Sequence, residues 1–314
     1  MKTMTRTEVA EFLKSHDHYS IISHHRPDGD TTGSSAYLCR LLRKMGKTAH
    51  VLLNPEVSPR LLSLHEGLTK ENPEEGDTLV STDVAALNML PENRKDLHID
   101  LRIDHHGTPA SFTDFELVDS KAAACGEILW DITEILGISM DVPMANALYT
   151  AISTDTGCFR YANTTAHTFE TAAACAKAGA DVFGINQVMF ETNSLARLRL
   201  QGWIIDHAQF LQDGKIVVCP LPISVEKELK LTEDDTDNIS SFPRTIEGVK
   251  IAAMLRQENE HKVKISVRAV PGCDAAAICQ KFGGGGHKGA AGAAMEMSLE
   301  EATKALIDAM PQLD

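Results

Sequence analysis

Apolar residues in the first half of the chain fall into short runs that alternate with longer segments of helical spacing. Tyr19–Ser23, Thr48–Leu53, Thr78–Thr82, His98–Ile103 and Phe115–Val118 are short and largely apolar, as strands covered on both faces are. Thr32–Met45 is amphipathic and stops at Gly46. Helices are predicted again over Ala123–Leu136, Pro143–Ser153 and Thr165–Ala178, the second opening with Pro in its first turn and the third closed by Gly179. Strand and helix in alternation predict an α/β domain with a mainly parallel sheet flanked by helices.

The pattern changes after a helical connection over Asn186–Gln209. Lys215–Cys219, Val249–Arg256 and Lys262–Val270 read as strands, the last alternating Lys262, Lys264, Ser266 and Arg268 with Val263, Ile265 and Val267, so that one face is polar. Leu231–Ser241 is acidic and turn-rich and reads as a loop; Asp274–Phe282 and Leu299–Met310 read as helices on either side of a glycine run. The expected layout is a first domain over 1–190, a helical linker over 191–209 and a smaller α/β domain over 210–314, with an active site in the cleft between the domains.

With 314 residues, 43% of them hydrophobic, the chain has apolar surface for two cores. No run approaches the roughly 18 apolar residues of a membrane span, and Met1–Glu8 has no apolar stretch of the signal-peptide kind, so a cytoplasmic address is expected. The seven cysteines are widely spaced and form no Cys-x-x-Cys pair, which fits reduced core residues better than a disulfide framework or a zinc finger. A net charge of −14 argues against a protein that coats long nucleic acid, because such binding needs many Lys and Arg on phosphates. A small phosphorylated substrate remains compatible: Lys262, Lys264, Arg268, Lys281 and Lys288 stand against Asp274 alone in their stretch, a local cationic patch able to focus an anion.

Acidic and histidine residues recur where predicted strands and helices run out. His24, Asp28 and Asp30 lie in Ser-His-His-Arg-Pro-Asp-Gly-Asp, where Gly29 permits a tight backbone path and Asp30 or Thr32 could cap the helix; Asp83 follows Leu79–Thr82; Asp104, His105 and His106 close the Ile99 run; Asp155 lies in Thr-Asp-Thr-Gly after a helix. Taken singly, Asp83 and Asp155 are ordinary cap or turn residues. Together, at the carboxyl edge of one sheet, these residues make a two-metal site, and such sites mostly break phosphorus–oxygen bonds. Oxygen and imidazole ligands without thiolate suit Mn²⁺ and other divalent ions alike. The glycines Gly283–Gly286 before His287 would let backbone N–H groups approach an anion.

This order of motifs, from His24-x3-Asp28-Gly29-Asp30 through Asp83, Asp104-His105-His106 and Asp155 to Gly-Gly-Gly-Gly-His287, resembles the DHH phosphoesterase family with a DHH-associated C-terminal domain, over nearly the whole chain. Within that family it is most similar to the bacterial nanoRNase and 3′-phosphoadenosine-5′-phosphate phosphatase group, differing in that Gly-Thr-Pro follows His106 where these relatives usually have an Asn shortly after. The resemblance implies two Mn²⁺ ions per chain, one held by His24, Asp28 and Asp83 and the other by Asp30, Asp83, His105 and Asp155. It also implies a catalytic group of Asp83, His106 and Asp104, with His106 donating to the phosphate or leaving oxygen and Asp104 orienting a ligand. Arg268, Gly284, Gly285, Gly286 and His287 would bind the far end of the substrate.

The activity so implied is Mn-dependent hydrolysis of short oligonucleotides, including linear dinucleotides such as pApA, to 5′-mononucleotides, together with conversion of adenosine 3′,5′-bisphosphate to AMP. Hydrolysis of cyclic di-adenosine monophosphate, and a nucleotide-binding sensor without catalysis, are the alternatives. A homodimer is among the assemblies the sequence leaves open.

Overall fold

The computed structural model describes residues 2–107, 112–236 and 238–313. Contacts divide the chain into two units, Met1–Thr192 and Asn193–Asp314.

The first unit runs β1 (Lys2–Thr3), α1 (Arg6–Ser15), β2 (Tyr19–Ile22), α2 (Gly29–Lys44), β3 (Ala49–Leu52), β4 (Thr69–Lys70), β5 (Thr78–Thr82), β6 (Ile99–Asp104) and β7 (Thr113–Val118). Four helices follow: α3 (Cys125–Leu136), α4 (Val142–Asp155), α5 (Ala166–Lys177) and α6 (Val182–Asn186). The strands form one sheet in the order β1-β7-β6-β5-β2-β3-β4, and every pairing is parallel. All residues of β2, β3 and β5 are buried, which explains their continuous apolar character. Strand order reverses between β2 and β5, and in such sheets ligands gather at that switch point beyond the carboxyl ends. Helix α2 packs against α4 through Gly33, where a Cβ would lie 2.5 Å from Ala147 O. Helix α1, not among the predicted elements, opens with a capping box in which Thr5 and Glu8 satisfy each other's backbone N–H.

The second unit runs α7 (Leu195–His207), β8 (Gln209–Leu211), β9 (Ile216–Leu221), α8 (Ile223–Leu229), α9 (Glu233–Thr236), β10 (Ile251–Asn259), β11 (Lys262–Ala269), α10 (Ala275–Gln280), β12 (Gly285–Gly286), β13 (Ala290–Met295) and α11 (Leu299–Asp308). Its sheet has the order β12-β13-β11-β10-β9-β8, with β9 and β10 parallel and the other pairs antiparallel. Ile251, Ala253 and Leu255 of β10 face one core with residues of α10 and α11, while Ala252 and Met254 face another with Leu200 and Ile204 of α7. The helical connection expected over Asn186–Gln209 is interrupted: a π-helical turn, Gln187–Glu191, precedes α7, whose apolar residues belong to the second unit's core. The loop expected over Leu231–Ser241 contains the helical turn α9, closed by Asp235 accepting from Thr232 N at 2.8 Å. The α/β architecture itself, a parallel sheet flanked by helices and then a smaller α/β unit, is the one the alternation of elements predicts.

Candidate metal centre

Strand β2 ends at Ile22, and Ser23 and His24 carry the chain off its carboxyl edge. His24 Nδ1 lies 2.6 Å from His25 O, so that nitrogen carries the hydrogen and Nε2 presents its lone pair inward. Asp28 caps α2 by accepting from Thr31 N at 3.0 Å, in place of the Asp30 or Thr32 cap that the sequence suggests. Gly29 has no left-handed backbone; it is needed for room, because a Cβ there would meet the Thr154 side chain at 2.4 Å. Thr31 Oγ1 lies 2.6 Å from His24 Nε2, 3.1 Å from Asp28 Oδ1 and 2.6 Å from Asp83 Oδ2. One hydroxyl proton thus faces three acceptors, a deficit that a cation would remove.

Asp30, 1% exposed, accepts from Ser34 Oγ at 2.8 Å and from the N–H groups of Cys125 at 2.7 Å and Gly126 at 3.1 Å, so its charge also sits at the N-terminus of α3. Asp83 leaves β5 in a left-handed conformation, φ +58°, with its N–H donating to Ile103 O at 3.0 Å. That turn aims the side chain into the centre. Its Oδ2 accepts from Thr31, while Oδ1 is buried without a hydrogen-bond partner, 3.5 Å from His105 Nε2 and 3.4 Å from His106 Nδ1. A buried orphan carboxylate oxygen is what a site built to receive a metal ion presents.

At the end of β6 the three consecutive polar residues take different directions. His105 directs Nδ1 toward Ala122 O at 3.3 Å and Nε2 toward Asp155 Oδ2 at 3.4 Å and Asp30 Oδ2 at 3.8 Å. The Ala122 contact fixes the tautomer that leaves Nε2 free to ligate. Asp104, fully buried, accepts at Oδ1 from His106 N at 3.0 Å and Nδ1 at 2.9 Å, and at Oδ2 from Arg102 Nε at 3.1 Å and from the Arg102 terminal nitrogen. Arg102, itself 1% exposed, therefore holds Asp104, and Asp104 holds His106. The sequence reading missed Arg102, whose signal was a lone base inside an apolar strand. Of the segment after His106, only Gly107 lies within the described residues, so the Thr108-Pro109 departure falls outside them.

Two ligand groups result, His24 with Asp28 and Asp83, and Asp30 with His105 and Asp155, the potential ligand atoms of each group lying within 4.8 Å of one another. Crowded carboxylates retain protons when nothing else neutralises them. Loss of water raises Asp30 well above the usual carboxylate range, with Asp83 and Asp155 adding to it, and raises Asp155 to about 7. Burial alone would raise Asp83, but His105 and His106 outweigh it and bring it down. Burial would lower His105, but the surrounding carboxylates carry it up to about 9, and the hydrogen bond to Asp104 with the nearby Asp83 carboxylate carries His106 up to about 11. The nearby Cys125 thiol is pushed well up by burial and by Asp30, so the donor set is oxygen and imidazole. These residues could hold a divalent metal ion.

In the second unit, Arg268 on β11 donates to Ser241 Oγ at 3.3 Å and Val267 O at 3.2 Å, and its register partner on β13 is Ala290. The glycine run is a structured hairpin: Gly283, Gly284 and His287 donate their N–H groups to Gln280 O, Cys279 O and Ala290 O, and Gly285 and Gly286 form β12. Of the expected cationic patch, Lys262 pairs with Glu258 at 3.0 Å and Lys281 donates to Ala309 O at 2.7 Å.

Residues 18–152 match the DHH family, N-terminal domain, and residues 213–312 match the DHHA1 domain. The bifunctional oligoribonuclease and PAP phosphatase NrnA of Thermus thermophilus is 33% identical over 307 residues, which are 96% of this chain and 92% of that protein. An exopolyphosphatase-related protein from Bacteroides fragilis has a crystal structure similar to this one with a TM-score of 0.86 at 23% identity, covering 97% of this chain and 95% of that one. The structure of RecJ in complex with Mn²⁺ from Thermus thermophilus is similar over 97% of this chain and 53% of that chain, with a TM-score of 0.52 at 15% identity. The last two likenesses are of fold.

Proposed function

This chain belongs to the DHH family and carries a DHHA1 domain, and from that premise we propose that it is a Mn²⁺-dependent phosphodiesterase. Its substrates are short oligonucleotides and linear dinucleotides, cut to 5′-mononucleotides, and adenosine 3′,5′-bisphosphate, converted to AMP. The observation that carries the reading is the convergence of His24, Asp28, Asp30, Asp83, His105 and Asp155 on one sheet edge with Asp83 between the two ligand groups. The relative named for oligoribonuclease and PAP phosphatase activity supports the choice of substrate.

Two ions bound there would activate the attacking water and offset charge on the phosphoryl oxygens. Asp83 would be shared by both ions, with His24 and Asp28 holding one and Asp30, His105 and Asp155 holding the other. Forming a 5′-mononucleotide requires a bond from the water oxygen to phosphorus, cleavage of the bond from phosphorus to O3′, and a proton for the departing oxygen. His106, kept protonated by Asp104 and with 43% of its side chain exposed, is the group we assign to supply it. Arg102 is a positioning residue, acting on His106 through Asp104. We assign the first unit to catalysis and the second to substrate binding, through Arg268, Gly284, Gly285, Gly286 and His287. Gly284 and His287 donate their N–H groups internally and Gly285 and Gly286 pair with β13, which leaves the His287 ring and the outer edge of β12 as the contacting surface.

The test is product analysis of the purified protein with Mn²⁺ on linear di-adenylate, adenosine 3′,5′-bisphosphate, a 24-mer RNA and cyclic di-adenosine monophosphate. AMP released from the first two, and lost in Asp83→Asn, is the expected result. Turnover confined to the cyclic dinucleotide would reassign the protein to that substrate, and nucleotide binding without turnover would make it a sensor.

A further inference from the structure

Beside the metal centre, and wholly within the first unit, loops following β2, β3 and β5 line an open cavity of about 690 Å³. Its walls include His25, Asn54, Asn88, Leu90, Asn93 and Lys95. None of these is a candidate ligand, and the reaction as written does not use them. Short fixed links nevertheless join the cavity to the centre. His25 follows His24 in the chain, and both its backbone N–H and its ring Nδ1 lie 2.7 Å from Met89 O. Asn54 donates to His24 O at 2.9 Å and to Ser23 Oγ at 3.2 Å, and accepts from Glu56 N at 3.0 Å. Leu90 is 1% exposed and packs with Ile22, Leu52, Val84 and Ile99, which pins the connection between β5 and β6.

The charges around this cavity balance. Arg26 and Lys95 are met by Glu56 and Glu92, with Arg26 N donating to Glu56 at 2.8 Å and Lys95 Nζ pairing with Glu92 at 2.5 Å. A second phosphate would call for an excess of cations, so the balance favours an uncharged polar group. The Asn54 amide is fully engaged, whereas the exposed side chains of Asn88 and Asn93 have no hydrogen-bond partner among the described residues. Each offers two donors and an acceptor from a helical turn, Leu87–Met89 or Glu92–Arg94. That mixture complements the donor and acceptor edge of a base, and an imidazole face such as that of His25 is a platform on which bases stack. The volume is that of a small-molecule site.

Resting on the nucleotide reading above, we infer that this cavity is a nucleobase subsite. It takes the base of the nucleotide whose phosphate lies at the metal centre, with Asn88 and Asn93 meeting the base edge and His25 stacking on its face.

The test is the double variant Asn88→Ala/Asn93→Ala, with kcat/KM measured for linear di-adenylate and for bis(p-nitrophenyl) phosphate, a diester with no base edge. The ratio of the two should fall at least tenfold, through KM for the dinucleotide. A purely structural defect lowers both substrates together, and an unchanged ratio overturns the inference. His25→Ala should lower the ratio as well, and His25→Phe should restore most of it. Should the wild type hydrolyse the simple diester but no nucleotide, the proposed function fails on its own. Equilibrium binding of AMP then decides the subsite: tenfold weaker binding by the double variant supports it, and equal affinity, or no binding by the wild type, overturns it.

Discussion

The two units arrange polar groups at their candidate sites in opposite ways. In the first, Asp28, Asp30, Asp83 and Asp155 are drawn together where strands β2 and β5 and helix α4 end; acceptors outnumber donors, and one carboxylate oxygen has no hydrogen-bond partner. In the second, the hairpin N–H groups of Gly283, Gly284 and His287 already have acceptors, and Arg268 rests on Ser241 and Val267. One site is held against its own repulsion by the fold around it, and the other is satisfied before any ligand arrives. Removing a site residue should therefore have different consequences in the two units. In the first it relieves repulsion while abolishing function, as strained functional sites do.

The largest effect is expected from Asp83→Asn. Asparagine tolerates the left-handed backbone at this position, so the change isolates the charge. Two-metal sites supply several kcal/mol of transition-state stabilisation, and about 1.4 kcal/mol is tenfold, so dinucleotide hydrolysis should fall on the order of 10³-fold. In chelator it is Asp155→Asn, at a carboxylate raised to about 7, that should melt at or above the wild-type temperature. A clearly lower melting temperature would mean that the carboxylate holds the fold, and the contrast between the units would break. His106→Gln should cost about 10²-fold in kcat, the lower range for a lost general acid, with melting little changed. Equal loss with a substrate whose leaving group needs no proton, such as p-nitrophenolate, would remove His106 from that role.

Acidity offers a second contrast. In the metal-free protein His105 and His106 are raised to about 9 and about 11, and Asp155 to about 7. A group whose folded pKa is raised contributes stability below its unfolded pKa and loses it as pH climbs through the folded one. Above about pH 6.5, the unfolded histidine value, His105 and Asp155 therefore act with the same sign. His50 and His65, lowered by burial, oppose this near pH 6.5, where the unfolded histidines are half protonated, and contribute no slope above about pH 7.5. The melting temperature of the first unit in chelator should fall between pH 6.5 and 9, and Mn²⁺ should remove that fall because it replaces the retained protons. In the second unit, Asp235 is lowered: burial raises it, but Ser194 and Thr232 outweigh that. Its contribution is present above the unfolded carboxylate value of about 3.9 and is lost below it, so that unit should be flat from pH 6.5 to about 8, where the buried Cys219 and Cys279 thiols begin to lower its stability. Calorimetry with and without chelator reads both, and parallel slopes would remove the distinction.

The candidate ligands His24, Asp83 and His105 were legible in the sequence because each follows an apolar run, and a polar residue that ends a buried strand must emerge at the sheet edge. What escaped the sequence depends on tertiary contact. Arg102 interrupts an apolar run and reads as a solvent-facing residue, yet it is buried against Asp104. Gly29 suggests a tight turn, whereas its constraint comes from Thr154, more than a hundred residues away in the chain. Strand β13, Ala-Ala-Gly-Ala-Ala-Met, has no β-branched residue to announce it, and becomes a strand because β11 and β12 pair on either side. Helix α1 was written locally, in the Thr5 to Glu8 capping box, and was overlooked.

The smallest change in stability should be the most informative about the second unit. A Cβ at Gly284 would lie 2.2 Å from Gly292 O and 2.5 Å from the Ala293 Cβ, so Gly284→Ala forces backbone apart and should cost about 1–3 kcal/mol, as overpacking does. A Cβ at Gly285 would meet nothing within 4 Å. Gly285→Ala should therefore leave unfolding within about 0.5 kcal/mol of wild type, as at an unconstrained surface position. Its added methyl nevertheless stands on the exposed strand β12 that we assign to the substrate. Raised KM for linear di-adenylate in this variant, with hydrolysis of bis(p-nitrophenyl) phosphate retained, would separate recognition from folding within one hairpin. An unaltered KM would return the glycine run to a purely structural role, set by the closeness of Gly284 and Gly286 to β13.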